Sequence, residues 1–570
     1  MSPRAPVNFL KSPLPIILFI SILFFAFSSF LPSLSQALAA TYCVDATNGN
    51  DSYNGLTTTN AWKTINKVNT STFNPGDQIL FKRGEVWGET LIPPSSGTAE
   101  NLITFGAFGT GALPAIYGSE KLSNWTLDTG DTYLTQLSWE CKQVFQNGQR
   151  LTRRQAIEDL TNGSWYQDPA TYTLYIITTG GSNPGISLIE ASKRNHGIYL
   201  YGKSYVKVEG FTLLHANGPG TIYLGSGSSN NEIKSCNISY GYGNGILIED
   251  YSDGNTIAQN SVSFCHYGGG NYQFYSSNGI MIRYASGGNQ VLSNEFFSNY
   301  GSGIFVSDSS NNLIEKNIVY ENGAGGIDIN DPGSSNNLVS ENTVYRNGQI
   351  DTDEQGISFF RAGTGNVARG NTVYEQQGGP NDGIGILIDT TVNQVIIKRN
   401  TVYSNSGHGL AIWNSQNGIL RNNTSYGNSK NGIFVGGKDS VGAQVVNNIS
   451  VNNNGYQLSF QPDAVAAGGY IVSHNNFYKP GSQKVIMFND RTYTAADFNA
   501  AYPGSNILQG DPIFVSPVNN FSLSPTSPCI DSGKDVGLSF MGRAPDLGAY
   551  EYDAPSQPLV PPRNLRFLTQ

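Results

Sequence analysis

Acidic side chains are concentrated in one part of the second half of the chain. Asp328, Asp353, Glu354 and Asp382 fall there, although charged residues make up only 13% of the sequence. Two carboxyl groups that lie close together cannot both ionise freely, so one acquires a raised pKa and can donate a proton while the other stays charged. Hydrolysis of a glycosidic bond needs such a pair. His408 follows in the chain and can support proton transfer in either direction.

Side chains suited to holding a sugar accompany this acidic group. Aromatic rings supply large contact faces, and guanidinium, amide and carboxylate groups bond to hydroxyls. The candidate substrate-binding residues are Arg283, Asn330, Phe360, Asp389, Trp413 and Tyr272. Two other interpretations stay open for the acidic residues, because Asp is common in turns and carboxylates on one edge are suitable ligands for Ca²⁺.

These side chains belong to a sequence repeat whose shortest units are 23 or 24 residues long. The structure that this repeat forms determines where the side chains lie. Each unit opens with a glycine before an apolar residue, and an asparagine follows its second short apolar run. The opening glycines are Gly245, Gly279, Gly303, Gly326, Gly356, Gly385, Gly409 and Gly432. The asparagines are Asn260, Asn294, Asn317, Asn342, Asn371, Asn400, Asn423, Asn448 and Asn475. Two markers that recur in step predict a solenoid.

The apolar residues of each unit alternate with polar ones, in runs too short for a helix. Gly303-Ile304-Phe305-Val306 is an example. The pattern predicts three short strands per coil, each stacked in parallel on its copy about 4.8 Å away in the next coil. We expect the asparagine column to be structural, because Asn tolerates the left-handed region and can bond to its copies.

The residues that alternate with the inward isoleucines of the first strand are predicted to face solvent. They are Leu247 and Glu249, Met281 and Arg283, Phe305 and Ser307, Asp328 and Asn330, Ser358 and Phe360, Leu387 and Asp389, and Ala411 and Trp413. Three coils are lengthened, at residues 266–278, 349–355 and 378–383, and these excursions should form a wall beside this face.

Carboxylates on consecutive coils would lie about 5 Å apart, which is the separation that retaining glycosidases use. The candidate pairs are Asp328 with Asp353 or Glu354, and Glu354 with Asp382. The spacing leaves open which of these pairs forms.

The repeat resembles the right-handed parallel β-helix proteins of the pectate-lyase-like superfamily over about residues 197–478. Gly326-Ile327-Asp328-Ile329 and Asn342-Thr343-Val344-Tyr345 carry the resemblance. It implies a fold of the all-β class, a right-handed parallel β-helix solenoid with an acidic pair on consecutive coils of this face. The resemblance does not identify the reaction, because the superfamily contains lyases, hydrolases, epimerases and non-catalytic surface proteins.

A small antiparallel β insert near the N-terminus is predicted at residues 120–190. Gly163-Ser164-Trp165-Tyr166 and Leu174-Tyr175-Ile176-Ile177 interrupt the repeat there with strand-like alternation. This insert resembles the small β-domain of β-helix glycoside hydrolases of the xylosidase-like and fucosidase-like types. The resemblance implies a carbohydrate substrate.

The remaining segments suggest export. Residues 1–39 are typical of a signal peptide, with Arg4 and Lys11 before an apolar run and Ala37-Leu38-Ala39 as a cleavage site. An uncleaved membrane anchor is the alternative. The predicted divisions are 1–39 signal peptide, 40–119 N-terminal cap and first coils, 120–190 insert, 191–480 parallel β-helix repeats, 481–553 C-terminal coil and cap, and 554–570 Pro-rich tail. We expect a protein that is secreted or held at the cell surface through a missing or external anchor.

The amino-acid composition limits the classes of molecule and metal that the protein is expected to bind. With 33 Lys and Arg against 42 Asp and Glu, the net charge of −9 lacks the basic footprint of a nucleic-acid binder. The five scattered cysteines form neither a disulfide framework nor a zinc site. No cofactor is expected with certainty, and Ca²⁺ is the one candidate, for which residues 45–54 also carry suitable oxygens unless they form a capping turn.

Three functions compete. The first is hydrolysis of an extracellular polysaccharide, more readily a neutral one, by a monomer with two carboxylates among Asp328, Asp353, Glu354 and Asp382. The second is a calcium-dependent polysaccharide lyase, for which Arg283 with His266 and Tyr300 is the available constellation, although no lysine is expected on the acidic face. The third is a non-catalytic surface or adhesion module that displays this face.

Overall fold

The computed structural model describes residues 39–266, 277–351, 353–379, 382–517 and 519–553. The chain divides into two units, Met1–Ala39 and Ala40–Gln570, and the elements below belong to the second. The predicted signal peptide, apart from Ala39, and the predicted Pro-rich tail lie outside the described residues. In the described part of the chain, no helix is long and apolar enough to cross a bilayer.

Three parallel sheets run along a solenoid and contain 14, 13 and 13 strands in the described ranges. The first consists of Thr41–Val44, Gln78–Lys82, Ile103–Phe108, Val206–Glu209, Glu232–Lys234, Thr256–Ala258, Gln290–Leu292, Leu313–Glu315, Leu338–Ser340, Asn366–Arg369, Val395–Lys398, Ile419–Arg421, Gln444–Val446 and Ile471–Ser473. The second consists of Ile198–Tyr201, Gly220–Gly225, Asn244–Ile248, Ile280–Arg283, Ile304–Ser307, Ile327–Asn330, Ile357–Phe360, Ile386–Asp389, Leu410–Trp413, Ile433–Gly436, Leu458–Phe460, Ile486–Phe488 and Arg491–Tyr493.

The third sheet completes each coil. It consists of Val86–Trp87, Ala115–Tyr117, Thr212–Leu214, Asn237–Ser239, Ser261–Ser263, Glu295–Phe297, Ile318–Tyr320, Thr343–Tyr345, Thr372–Tyr374, Thr401–Tyr403, Thr424–Tyr426, Ile449–Val451 and Asn476–Tyr478. The inward Ile, Val and Leu residues of all three sheets pack into one continuous buried core. The predicted all-β parallel solenoid is confirmed.

An antiparallel insert interrupts the coils near the N-terminus, as the sequence predicts. A four-stranded sheet consists of Ser119–Lys121, Val144–Gln146, Gln149–Arg150 and Ile189–Ser192. A five-stranded sheet consists of Thr126–Thr129, Thr132–Gln136, Thr152–Arg153, Ser164–Gln167 and Thr173–Ile177, and only its Thr152–Arg153 edge pairs in parallel. The insert has a hydrophobic core of its own around Trp165 and Leu174.

Short elements cover both ends of the solenoid core. The helix Ile65–Asn69 buries Ile65 and Val68 in that core near the N-terminal coils. At the other end, Arg491–Tyr493 pairs antiparallel with the last coil strand, and Phe498 of the helix Ala495–Ala501 packs 5.3 Å from Phe488 between ring centroids. The other short elements are the helix Pro462–Ala467, the strands Phe514–Ser516 and Asn520–Leu523, and the 3₁₀ turns Thr58–Asn60, Ile157–Asp159 and Pro184–Ile186.

The repeated asparagines form a hydrogen-bonded ladder that ties the coils together. From Asn294 to Asn475, each side-chain oxygen accepts the backbone N–H and the amide N–H of its copy in the preceding coil at 2.8–3.0 Å, in a series that begins with Asn260. The predicted structural role is confirmed. The expected left-handed conformation, however, falls on the residue before each Asn, as at Lys316 and Glu341, with φ of 57° and 56°.

Asn371→Ala should destabilise the protein because it removes one member of this ladder. Asn342 would lose the acceptor of two hydrogen bonds, and the Val339 carbonyl and the Asn400 amide oxygen would each lose a donor. At about 1 kcal/mol or more for each buried group left unpaired, we expect a loss of roughly 3 kcal/mol in the free energy of unfolding. Denaturant titration measures it, and the exposed Asn454→Ala serves as the matched control. Equal stability of the two variants would contradict the structural role.

Candidate active site

The register of the second sheet aligns the candidate residues in two columns. In one column Phe305, Asp328, Ser358, Leu387 and Ala411 pair in that order. In the other column the order is Arg283, Ser307, Asn330, Phe360, Asp389 and Trp413. Neighbours in a column lie on consecutive coils, so each is about one strand spacing from the next.

The prediction that the first of these columns faces solvent is wrong. Leu247, Met281, Phe305, Asp328, Ser358, Leu387 and Ala411 are all 8% exposed or less. The reason is that large apolar neighbours cover one another along the stack: Leu247, Met281 and Phe305 form one cluster with Tyr223, and Leu387 and Ala411 form another with Ile384. In the second column, only Trp413 among the candidates is well exposed, at 40%.

Asp328 lies between these two apolar clusters. Its side chain is 2% exposed, and Oδ1 accepts a hydrogen bond from the Ser358 hydroxyl at 2.7 Å. Burial raises the pKa of Asp328 to about 6, and the charge of Asp351 adds to the rise while the Ser302 and Ser358 hydroxyls oppose it. Gly325 lies so close that an added Cβ would overlap the carboxylate oxygens. Asp328 therefore acts on the site from beneath its surface.

Glu354 has the most strongly perturbed carboxyl group of the cluster. Burial raises its pKa well above the usual range, and the charges of Asp328, Asp351, Asp353 and Asp382 raise it further. Four carboxylates around one partly buried acid favour its neutral form. Glu354 therefore carries a proton at pH values at which an ordinary glutamate has lost it.

Gln355 joins the two long loops that carry the acidic residues. Its amide nitrogen donates to the Asp353 carbonyl at 3.0 Å and to Asp382 Oδ1 at 3.3 Å, and its amide oxygen accepts the Ile384 N–H at 2.8 Å. The Glu354 carbonyl also accepts the Gly383 N–H at 3.2 Å. Gln355 thus positions the Asp382 carboxylate relative to the Glu354 loop.

Asp382 and His408 share the influence of Lys430. Burial raises the pKa of Asp382 and the charge of Asp353 adds to the rise, whereas the Gln355 hydrogen bond and the Lys430 charge lower it. Burial lowers the pKa of His408 to about 4, and Lys430 lowers it further. The expectation that no lysine serves the acidic face is therefore incomplete, because Lys430 reaches it from the next coil.

His408 is a neutral hydrogen-bond donor in this arrangement. Its Nδ1 accepts the Asn431 N–H at 3.1 Å, which leaves the single ring proton of the neutral imidazole on Nε2. The ring stacks on Phe434, with centroids 4.5 Å apart and planes 10° from parallel. The lowered pKa keeps this tautomer uncharged at neutral pH, so His408 can donate to a hydroxyl but does not supply a positive charge.

A cavity of about 480 Å³ opens beside these groups. It is lined by Asp382, Ile384, Leu387, Asp389, His408, Ala411, Trp413 and Phe434. Trp413 and Phe434 form an aromatic wall, with ring centroids 6.0 Å apart and planes 20° from parallel. Burial raises the pKa of Asp389, which accepts the Thr390 hydroxyl at 2.7 Å. The volume lies within the range of pockets for small ligands.

The structure brings only part of the predicted set to this cavity. Asp382, Asp389, His408 and Trp413 line it. Other candidates lie outside the lining: Asp328 is buried beneath the sheet surface, Asp353 and Glu354 belong to the adjoining loop, Asn330 and Phe360 lie on the same sheet column as Asp389, and Tyr272 lies outside the described residues.

Arg283 does not join the acidic group. Its Nε is 2.6 Å from Glu249 Oε2, and its guanidinium lies 4.5 Å from the ring centroid of Tyr284. His266 and Tyr300 contact each other edge to face at 4.3 Å between centroids. The constellation expected for a lyase thus has its cation paired with a carboxylate.

Gln355, Lys430 and Phe434 are the site residues that the sequence patterns do not identify. Gln355 immediately precedes an opening glycine, as Ile384 and His408 do, and the carbonyls of these three residues accept the N–H groups of the opening glycines one coil back. That shared corner position is the one signal that could have indicated Gln355.

A bound metal has little support from the side chains. Among the described residues, no group of three or more His, Cys, Asp or Glu is arranged as a metal site. The N-terminal turn at residues 45–54 uses both of its acids internally. Asp45 accepts the Thr47 and Asn48 N–H groups and pairs with Lys82 at 2.8 Å, and Asp51 accepts the Lys63 and Thr64 N–H groups. These contacts are those of a capping turn.

Comparison with known protein families identifies the family to which the chain belongs. Residues 171–278, 196–373 and 351–500 match the family described as right handed beta helix region. No protein of curated function matches the chain by sequence.

Solved structures similar to this chain include carbohydrate-related proteins. XylC in complex with xylose is 16% identical, with a TM-score of 0.55, over 79% of this chain and 86% of that one. A glycoside hydrolase is 11% identical over 81% and 100%, with a TM-score of 0.48, and the pectate lyase Pel9A is 15% identical over 90% and 96%, with a TM-score of 0.34. The XylC likeness shows a shared fold.

Glu354→Gln should stabilise the protein at neutral pH but not in acid. A carboxyl whose folded-state pKa lies above its unfolded value supports folding below the unfolded pKa, and that support declines as the pH rises to the folded pKa. Glutamine imitates the protonated form and does not titrate. At pH 4 the melting temperature of the variant should equal that of the original protein. At pH 7.5 it should be higher by about 1 to 3 °C. An equal difference at both values, or one matched by the exposed control Asp439→Asn, would disprove the raised pKa.

Proposed function

Because the chain belongs to the right handed beta helix region family, we propose that its coils support a carbohydrate-active enzyme that hydrolyses glycosidic bonds of an extracellular polysaccharide. The proposal rests above all on Glu354, an acid kept protonated by burial and four neighbouring carboxylates. A cavity with an aromatic wall is lined by Asp382, whose charge is one of those that raise the pKa of Glu354. XylC, which shares the fold, holds xylose, and a saccharide is the ligand class that we propose here.

In the proposed reaction Glu354 is the proton donor and Asp382 the second carboxylate. The two residues lie in the loops before the opening glycines of consecutive coils, which stack about 5 Å apart. A separation of that order between the two carboxyl groups would suit a retaining mechanism. Asp382 attacks the anomeric carbon while the bond to the leaving sugar breaks, and the leaving oxygen takes the proton of Glu354. Water, deprotonated by Glu354, then hydrolyses the glycosyl ester and restores both groups.

The other cavity residues bind the sugar. Trp413 and Phe434 supply aromatic contact surface for it, and Asp389 can accept a hydrogen bond from a sugar hydroxyl. His408 donates from Nε2. Asp328 touches no substrate in this scheme, and its negative charge instead keeps Glu354 protonated.

A polysaccharide lyase is the second candidate, and Lys430 favours it. Its charge lies close enough to Asp382 and His408 to lower the pKa of both. Such a cation could neutralise the carboxylate of a uronate before β-elimination. A calcium-dependent form would lose activity on chelation, whereas hydrolysis by the carboxylates would not.

We also propose that the protein is exported, with a mature chain that begins near Ala40, and that it acts as a monomer at the cell surface or outside the cell. The apolar N-terminal run and its small-residue cleavage site support export.

Glu354→Gln and Asp382→Asn should each lower the rate of hydrolysis by about 10²- to 10⁴-fold. The first removes the proposed proton donor and the second removes the proposed nucleophile. The assay follows reducing ends and the ultraviolet absorbance of unsaturated products on neutral and uronate polysaccharides, with and without chelator. Asp439→Asn should retain activity. New absorbance would indicate the lyase, and no release in either channel would favour a display module.

Lys430→Met should move the acidic limb of the pH profile of kcat/KM to higher pH. Lys430 lowers the pKa of Asp382, so its removal lets Asp382 take up a proton at a higher pH and lose its charge. The alkaline limb, set by deprotonation of Glu354, should stay in place. The exposed Lys438→Met is the matched control. An unmoved acidic limb would remove Asp382 from the role of the ionised carboxylate.

A further inference from the structure

A second cavity, of about 310 Å³, lies where the inserted β sheets meet the solenoid. This junction pocket is lined by Lys142, Gln143, Arg150, Leu151, Thr152, Arg153, Trp165, Tyr242 and His266. Three of the lining residues, Lys142, Arg150 and Arg153, are cationic, and this lining contains no Asp or Glu. Such a concentration of positive charge is unusual in a chain with a net charge of −9.

The Arg150 guanidinium is held without a carboxylate partner. Its Nη2 donates to the Phe264 carbonyl at 2.8 Å, and the group lies 5.3 Å from the ring centroid of Tyr240. In the described part of the chain, no Asp or Glu lies within ion-pair distance of Arg150. A charged group that is taken from water without a counter-charge is costly, so an anion in the pocket would relieve that cost.

The other two cations rest on aromatic rings. Lys142 lies 4.8 Å from the ring centroid of Tyr242, and Arg153 lies 5.4 Å from that of Trp165. Cation–π contact holds such groups in place without cancelling their charge. His266 adds no charge, because burial lowers its pKa to about 4.

Three buried polar atoms of the pocket residues lack a hydrogen-bond partner: Gln143 Oε1, Arg150 Nε and Trp165 Nε1. Gln143 is 3% exposed and Trp165 is 1% exposed. Each such atom costs about 1 to 3 kcal/mol while it stays unpaired. Two of them are donors and one is an acceptor, so a ligand with both acceptor and donor groups could satisfy those that it reaches.

The junction pocket lies near the second sheet, which also carries Asp328. A smaller cavity of about 140 Å³ shares Lys142 and Tyr242 with it and reaches Arg283. Arg283 lies in the same sheet column as Asn330, two coils away. An extended saccharide along this face would therefore meet cations near the insert and carboxylates further on.

We propose that the junction pocket binds the carboxylate of an acidic sugar residue, such as the uronic acid unit of a polysaccharide. This site is separate from the Glu354 cluster and its existence does not depend on the hydrolysis proposed there. It reverses the expectation of a neutral glycan, because the overall negative charge is locally offset in this pocket.

Isothermal titration calorimetry of the full chain tests the site. D-glucuronate and D-galacturonate should bind, and D-glucose and D-galactose should bind at least 10-fold more weakly. Lys142→Met and Arg153→Met, which keep most of the side-chain volume, should each weaken uronate binding by about 10-fold, while the exposed Lys121→Met should leave it unchanged.

The same titration on the Glu354→Gln protein separates the two proposals, since uronate binding should persist there whatever the fate of hydrolysis. Equal binding of uronates and neutral sugars would overturn the site, and so would uronate binding that both pocket variants retain. Inorganic sulfate that binds as tightly as the uronates would overturn the assignment to a sugar acid.

Discussion

The stacking of each coil on the next in a fixed register is the constraint on which the other features depend. The asparagine amides enforce it, because every Asn from Asn260 to Asn475 bonds to its copy and would lose those bonds if one coil slipped. Side chains at equivalent positions of neighbouring coils are then about one strand spacing apart, even where they carry charges of the same sign. Burial raises the pKa values of Asp328 and Glu354, and the neighbouring carboxylates that the stacking holds close raise them further.

Loop insertions at one corner turn a uniform stack into a site. The long excursions before Gly356 and Gly385 leave the backbone pairing intact, since the Gln355 and Ile384 carbonyls still accept the N–H groups of the preceding coil. The coils can therefore carry loops of different length without losing register. In the described part of these loops, Gln355 and the bond from the Gly383 N–H to the Glu354 carbonyl join one loop to the other, so the relative position of their acidic residues depends on these local contacts.

The sequence was sufficient for the scaffold but only partly sufficient for the site. Repeated glycines and asparagines specify strand order and register, because both follow from periodicity. Exposure was mispredicted at Met281 and Phe305, since alternation tells which way a side chain points and not what its neighbours cover. Lys430 and the junction pocket depend on which distant segments meet, as when Arg150 of the insert approaches Phe264, and no local pattern encodes that.

The antiparallel strand Arg491–Tyr493 at the end of the second sheet has a consequence for the whole molecule. A stack of parallel coils ends in a row of unpaired backbone groups, the same template that lets β-rich chains add to one another and grow into fibres. Here the chain reverses, covers the strand Ile486–Phe488 and places the Ala495–Ala501 helix over the core. The edge of the second sheet is thus a strand of opposite direction, and the last parallel strand of the stack is covered instead of being left open to another chain.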